Sequence, residues 1–211
     1  DASTNAVPWN DPSSMIASTN MPVIGPRALT DVSVEPHTSF VVIGGGKSAC
    51  DAILYMRRAM GVGATEDCPR IKWIISTALA YFRREVAGTD SYDIGVEKLL
   101  REDLLDPGAA MHALPSYGEV FHHFTTTPPD TTHLGTLGND EISELRVQSR
   151  IEGQRAVSIE HDHIILTNGR LDCNPGTIIV TCTGPTRDPR TRARLQAEHT
   201  AMRDTKMDPM D

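Results

Sequence analysis

Three small residues at the spacing G-x-G-x-x-A, Gly44, Gly46 and Ala49, are the part of this 211-residue chain best suited to chemistry. That chemistry is the holding of a diphosphate. The first position permits a sharp turn, the second lets backbone approach a pyrophosphate, and the small third lets a helix pack close to the preceding strand. The N–H groups of Gly45, Gly46, Lys47 and Ser48 are then free to point at phosphate oxygens, and the positive end of the helix dipole favours the charge. The Ser48 hydroxyl is a further donor. Lys47 either meets a phosphate or stays a surface lysine, and Asp51, placed in the first helical turn, complements the dipole rather than touching the cofactor. Gly46-Lys47-Ser48 also spells GKS, but a triphosphate loop needs a glycine five places earlier, where Val41 stands. A glycine turn that binds nothing is the plain alternative.

The elements around the turn are what give the spacing meaning. Phe40 to Ile43 is a short, β-branched apolar run suited to a strand buried on both faces. From Ser48 the period becomes helical, with Ala49, Ala52, Ile53, Met56 and Met60 on one side and Arg57 and Arg58 turned away. Gly61 ends the helix. Arg70 to Ile75 forms the next strand, which completes a βαβ unit. The fold class expected is α/β: a Rossmann-like βαβ unit with a parallel sheet, a β-meander and an irregular helical insertion.

Further along, Thr89-Asp90 can cap a helix carrying Val96, Leu99, Leu100 and Leu104, and 111–137 reads as a long irregular loop. His122-His123 inside it lacks a third ligand at useful spacing, so no metal is expected and the two read as solvent-facing. Asn139-Asp140 caps a short helix bearing Ile142 and Leu145. Ala156–Ile159, Ile164–Thr167 and, after the Asn168-Gly169 turn, Arg170–Cys173 make the meander. Thr177–Thr183 is another buried strand. The expected organisation is an extended leader over 1–36, in which only 21–24 resembles a strand, a nucleotide domain over 37–187 with an insertion about 86–143, and a charged tail over 188–211.

Composition narrows the partners. A net charge of −8 leaves no basic face for nucleic acid, and no apolar run is long enough for a membrane span. Cys50, Cys68, Cys173 and Cys182 have no metal or disulfide spacing and read as free thiols of a reducing, cytoplasmic setting. The residue closing the second strand of a βαβ unit selects the cofactor, an acid there holding a ribose hydroxyl. Here it is Ser76-Thr77, both neutral, with Arg83 and Arg84 close behind. That favours a 2′-phosphate, hence NADP(H), with NAD(H) possible; a solvated arginine pair is the alternative.

The runs VVIGGGKSACDA, IKWII and IILTNGRLDC…TIIVTCTG resemble the NAD(P)-binding portion of flavin-containing-monooxygenase-like FAD/NAD(P) oxidoreductases. Gly44 to Ala49 match that family's GxGxS/T-plus-small motif, and Lys47, Ser48 and Asp51 match a GKT/S-x-x-D sub-group signature. Trp73, Phe82-Arg83, Asp140 to Arg146 and Thr181 to Gly184 follow in the family's order. The resemblance implies that Thr183 and Gly184 lie at the return toward a flavin domain and approach a cofactor there. It also implies FAD, although the family's first glycine motif and acidic partner are not found ahead of Phe40. The expected role is to present NADPH for hydride transfer to a flavin held by segments absent from this chain, with no catalytic side chain of its own. The alternative is a truncated, redox-inactive nucleotide-binding or regulatory module. A short-chain dehydrogenase is set aside, because none of Tyr55, Tyr81, Tyr92 and Tyr117 has a lysine four residues on.

Overall fold

A computed structural model describes residues 20–86, 89, 121–127, 129 and 131–183. The expected helix over about 90–104, the charged tail and Gly184 lie outside the described residues. The central sheet has five strands, all parallel: β1 (Val23–Ile24), β2 (Phe40–Ile43), β3 (Ile71–Ile75), β7 (Arg150–Glu152) and β11 (Ile178–Thr181), in the order β1-β11-β2-β3-β7. The α/β class expected from sequence is therefore the one found. Part of the leader contributes to it, since Val23 and Ile24 pair with Ile179 and Val180.

Side-chain alternation assigns the sheet's two faces. Phe40 and Val42, with Ile71, Trp73, Ile75 and Val180, pack beneath helix α1 (Lys47–Ala59) and helix α2 (Asn139–Val147). Val41, Ile43, Ile74 and Ile179 pack the opposite way, against an antiparallel meander. This meander is β8 (Ala156–Ile159), β9 (His163–Leu166) and β10 (Gly169–Asp172). Both faces of β2 are covered, so all four of its residues are buried. Each such aliphatic contributes about 1.5–3 kcal/mol by leaving water.

A third sheet was not foreseen. β4 (Leu79–Arg83) pairs with β5 (Phe121–His122) antiparallel and with β6 (Thr131–Leu137) in parallel. The region read as an irregular loop thus holds two strands. Its histidines are corrected accordingly: His122 is buried, its Nε2 2.8 Å from the Leu137 carbonyl, and His123 is half-buried against the Thr125 carbonyl. No group of three or more metal-ligating side chains occurs among the described residues.

Helix α1 needs three corrections. It starts one residue early, at Lys47, so Asp51 falls in the second turn, where it pairs with Lys47. Arg57 does not face away. It is fully buried, donating to the Gln148 side chain (3.0 Å) and to the carbonyls of Gly63 (2.9 Å) and Glu66 (2.7 Å). Gln148 in turn donates to the Cys68 and Ile71 carbonyls, which ties both helices to the approach of β3. Gly61 closes the helix as expected, at φ +67°. Helix α2 is capped by Gly138, not Asn139; the Glu141 carboxylate accepts the Gly138 N–H at 2.9 Å.

Candidate nucleotide cleft

The turn from β2 into α1 is built by its carbonyls. The Trp73 indole donates to the Gly44 carbonyl at 2.7 Å, and the Tyr81 hydroxyl donates to the Gly45 carbonyl. In a trans peptide the C=O and the following N–H point in opposite directions. Two aromatic side chains therefore turn the N–H groups of Gly45 and Gly46 away from the core, and no described residue accepts from either. Trp73 stacks on Phe124 at 4.6 Å and Tyr81 lies 5.7 Å from the same ring, so both donors are held by packing.

The glycines are required for close approach. Gly44 has φ +126°, and a Cβ there would stand 2.8 Å from the Cys182 carbonyl oxygen at the end of β11. A Cβ on Gly45 would meet Ile75 at 3.0 Å and the Thr77 carbonyl at 3.2 Å. Ala49 is fully buried at the helix–strand contact, the place where a small residue was expected. Burial pushes the thiols of Cys50 and Cys182 up to about 12, and it raises Tyr81 as well. Both thiols are therefore protonated at neutral pH and Tyr81 stays a donor, so none of the three is a ready nucleophile.

Above the turn lies an open cleft of about 660 Å³, within the roughly 300–1,000 Å³ typical of small-molecule sites. It sits at the carboxyl end of the parallel sheet, where the chain runs from β2 to β3 on one side and later places β11 on the other. Such a switch point is where open α/β sheets take their ligands. Gly44, Gly45, Gly46 and Thr183 line it. Ser48 does not; it lines a separate groove with Arg27, Thr30 and Tyr55. The Lys47 ammonium is taken by Asp51.

Arg83 and Arg84 are also elsewhere. Arg84 pairs with Glu141 at 2.7 Å and Arg83 reaches the Asn139 side chain at 3.3 Å, so both tie β4 to the start of α2 rather than lining the cleft. The residues that do line its far wall, Gln154, Arg155 and Thr167, carried no motif. Finding them required knowing that β7 sits beside β3 and delivers the next loop over the β3 end.

No protein-family model matches the chain, and no curated protein does. Ten solved chains match in structure, among them L-lysine 6-monooxygenase from Pseudomonas syringae, at 16% identity and a TM-score of 0.42. The alignment covers 92% of this chain and 48% of that one, so this chain spans about half its length. No helix of the described residues is long and apolar enough to cross a membrane.

Proposed function

We propose that the cleft binds a nicotinamide dinucleotide, NADP(H) or NAD(H), and that the chain is the nicotinamide-nucleotide portion of a flavin-dependent, monooxygenase-like oxidoreductase. The observation that carries this is the pair of N–H groups, Gly45 and Gly46, aimed into the cleft by the hold of Trp73 and Tyr81 on the preceding carbonyls. Two adjacent amides at a helix start, beside a cleft at a switch point, suit a diphosphate. The pyrophosphate then lies over the end of β2. The adenosine runs toward β3, and the nicotinamide toward Thr183 beyond β11. Hydride transfer from the reduced nicotinamide is the cofactor's own chemistry, with a flavin bound outside the described residues as acceptor. This chain's share is to hold and orient the nucleotide.

The test is calorimetric titration of the 211-residue chain with NADPH and NADH, beside a Gly46→Val variant. A β-branched side chain at the mouth of the amide pair is expected to weaken binding at least about tenfold. Unchanged affinity in a folded variant refutes the site.

A further inference from the structure

We propose that Phe124 is a positioning residue for the nucleotide, and that Glu152, latched onto the Phe124 segment, sets nucleotide affinity from outside the cleft. This rests on the dinucleotide reading above and goes beyond it, since neither side chain is among the described residues that line the cleft.

Trp73 stands on β3 of the central sheet and Tyr81 on β4 of the third sheet, yet they donate to neighbouring peptides, at Gly44 and Gly45. Two side chains from separate sheets keep that register only if something fixes one to the other. Phe124 is the link. Its buried ring lies 4.6 Å from Trp73 at an interplanar angle of 27° and 5.7 Å from Tyr81 at 26°. The ring offers the loop no donor; its part is to hold both donors in the orientation that reaches the two carbonyls.

Phe124 itself lies outside the strands, so sheet pairing does not place it. It is held from β7 and α2. The Glu152 carboxylate accepts the Thr126 N–H at 3.0 Å, the Thr127 N–H at 3.2 Å and the Thr126 hydroxyl at 3.0 Å. Arg150, on the same face of β7, donates to Glu152 at 2.6 Å and stands 6.0 Å over the Phe124 ring. Arg146 donates to the His123 carbonyl at 3.0 Å. The ring is thus gripped by the chain on both sides of it. The residues that follow Glu152, Gly153 and Gln154, line the far wall of the cleft. The end of β7 therefore carries one wall and, through Phe124, braces the loop that makes the other. Loosening the latch lets both donors drift and lowers the fraction of loop with its amides turned to the nucleotide.

The experiment is calorimetric titration of the full chain with NADPH and NADH, with a thermal melt of each protein. The variants are Phe124→Leu, Glu152→Ala, Glu152→Gln and, as a control for general loosening, Ile159→Val, fully buried against the opposite face of the sheet. Phe124→Leu is expected to weaken NADPH binding about three- to tenfold and Glu152→Ala about two- to fivefold. Glu152→Gln keeps a carbonyl oxygen for the Thr126 N–H and should bind more tightly than Glu152→Ala. If the latch acts through the ring, the Glu152→Ala/Phe124→Leu protein stays within about twofold of Phe124→Leu alone. Likewise the loss in Tyr81→Phe/Phe124→Leu should fall short of the product of its two single losses. Ile159→Val should melt lower and bind as wild type does. A folded Phe124→Leu or Glu152→Ala protein with wild-type affinity overturns the proposal and leaves the dinucleotide site standing. So do fully multiplicative losses in either double variant, or an Ile159→Val protein weakened as much as Phe124→Leu. Should Phe124→Leu not fold, Glu152→Ala, which trims a half-buried side chain, decides by itself. Failure of the wild type to bind either dinucleotide overturns both readings.

Discussion

Tyr81→Phe isolates the device that orients the loop. The substitution removes one oxygen from a side chain that is fully buried, keeps the ring stacked near Phe124, and leaves the Gly45 carbonyl without its donor. The thiol of Cys50, which donates to the Tyr81 oxygen at 3.6 Å, loses its acceptor as well, but thiol bonds are weak. A partly buried carbonyl left unpaired costs about 1–3 kcal/mol. For a domain of this size that corresponds to a fall in Tm of about 2–4 °C per kcal/mol. The more informative number is the affinity. Once the hydroxyl is gone, the Gly45–Gly46 peptide samples other orientations, and the apparent Kd rises by the inverse of the fraction still correctly turned. With about half of the stability loss falling on that peptide, NADPH should bind about three- to tenfold more weakly. Thermal melts and calorimetry on the same preparation supply both values, with Tyr55→Phe, at a tyrosine 39% exposed on the outer face of α1, as the control. A Tyr81→Phe protein that melts lower yet binds NADPH as tightly as wild type refutes the claim that the hydroxyl orients the amide.

Two further outcomes concern stability. Gly44→Ala forces a side chain into φ +126° and against the Cys182 carbonyl, whereas Gly61→Ala, at φ +67°, meets nothing within 4 Å; urea unfolding should show a loss of about 2–4 kcal/mol for the first and about 1–2 for the second, and equal losses would deny the close approach. Burial alone would raise the Glu152 carboxyl, but the N–H groups of Thr126 and Thr127 and the Arg150 guanidinium at 2.6 Å bring it from an ordinary 4.5 down to about 2. Its stabilisation is therefore full above pH 4.5 and is lost as pH falls toward 2. The shift sets a ceiling of about 3 kcal/mol, which solvent screening trims to about 1–2 kcal/mol, so the gap between wild type and Glu152→Gln should be open at pH 6, about half closed by pH 3 and nearly gone at pH 2 in urea titrations.

The sequence made β2, α1, β3, the meander and β11 legible because each is continuous and strongly patterned, and Gly44 and Gly46 stand where an apolar strand gives way to a helical period. What stayed hidden was lateral. Nothing local in Arg150–Glu152 announces an edge strand, because three half-buried residues carry too little pattern; its place beside β3 is a fact of the assembled sheet. That placement is what brings Arg155 to the wall of the cleft, which Arg83 and Arg84 do not line. Arg57 shows the same limit: a helical projection shows which residues share a face, but not that the bend after the helix turns the carbonyls of Gly63 and Glu66 onto a guanidinium there.

That buried guanidinium makes α1 mechanically unequal along its length. A guanidinium presents five donors in one rigid plane, so a single side chain can hold several acceptors at once. The helix is thereby anchored at its carboxyl end to Gln148 and to the Gly63–Glu66 bend, with Glu144 4.0 Å from Nε. At the other end it is held by the burial of Ala49 and Cys50 and by the loop carbonyls of Gly44 and Gly45, which accept from Trp73 and Tyr81. One end of the rod is therefore fastened by charged and polar bonds to two separate stretches of chain, and the other by close packing.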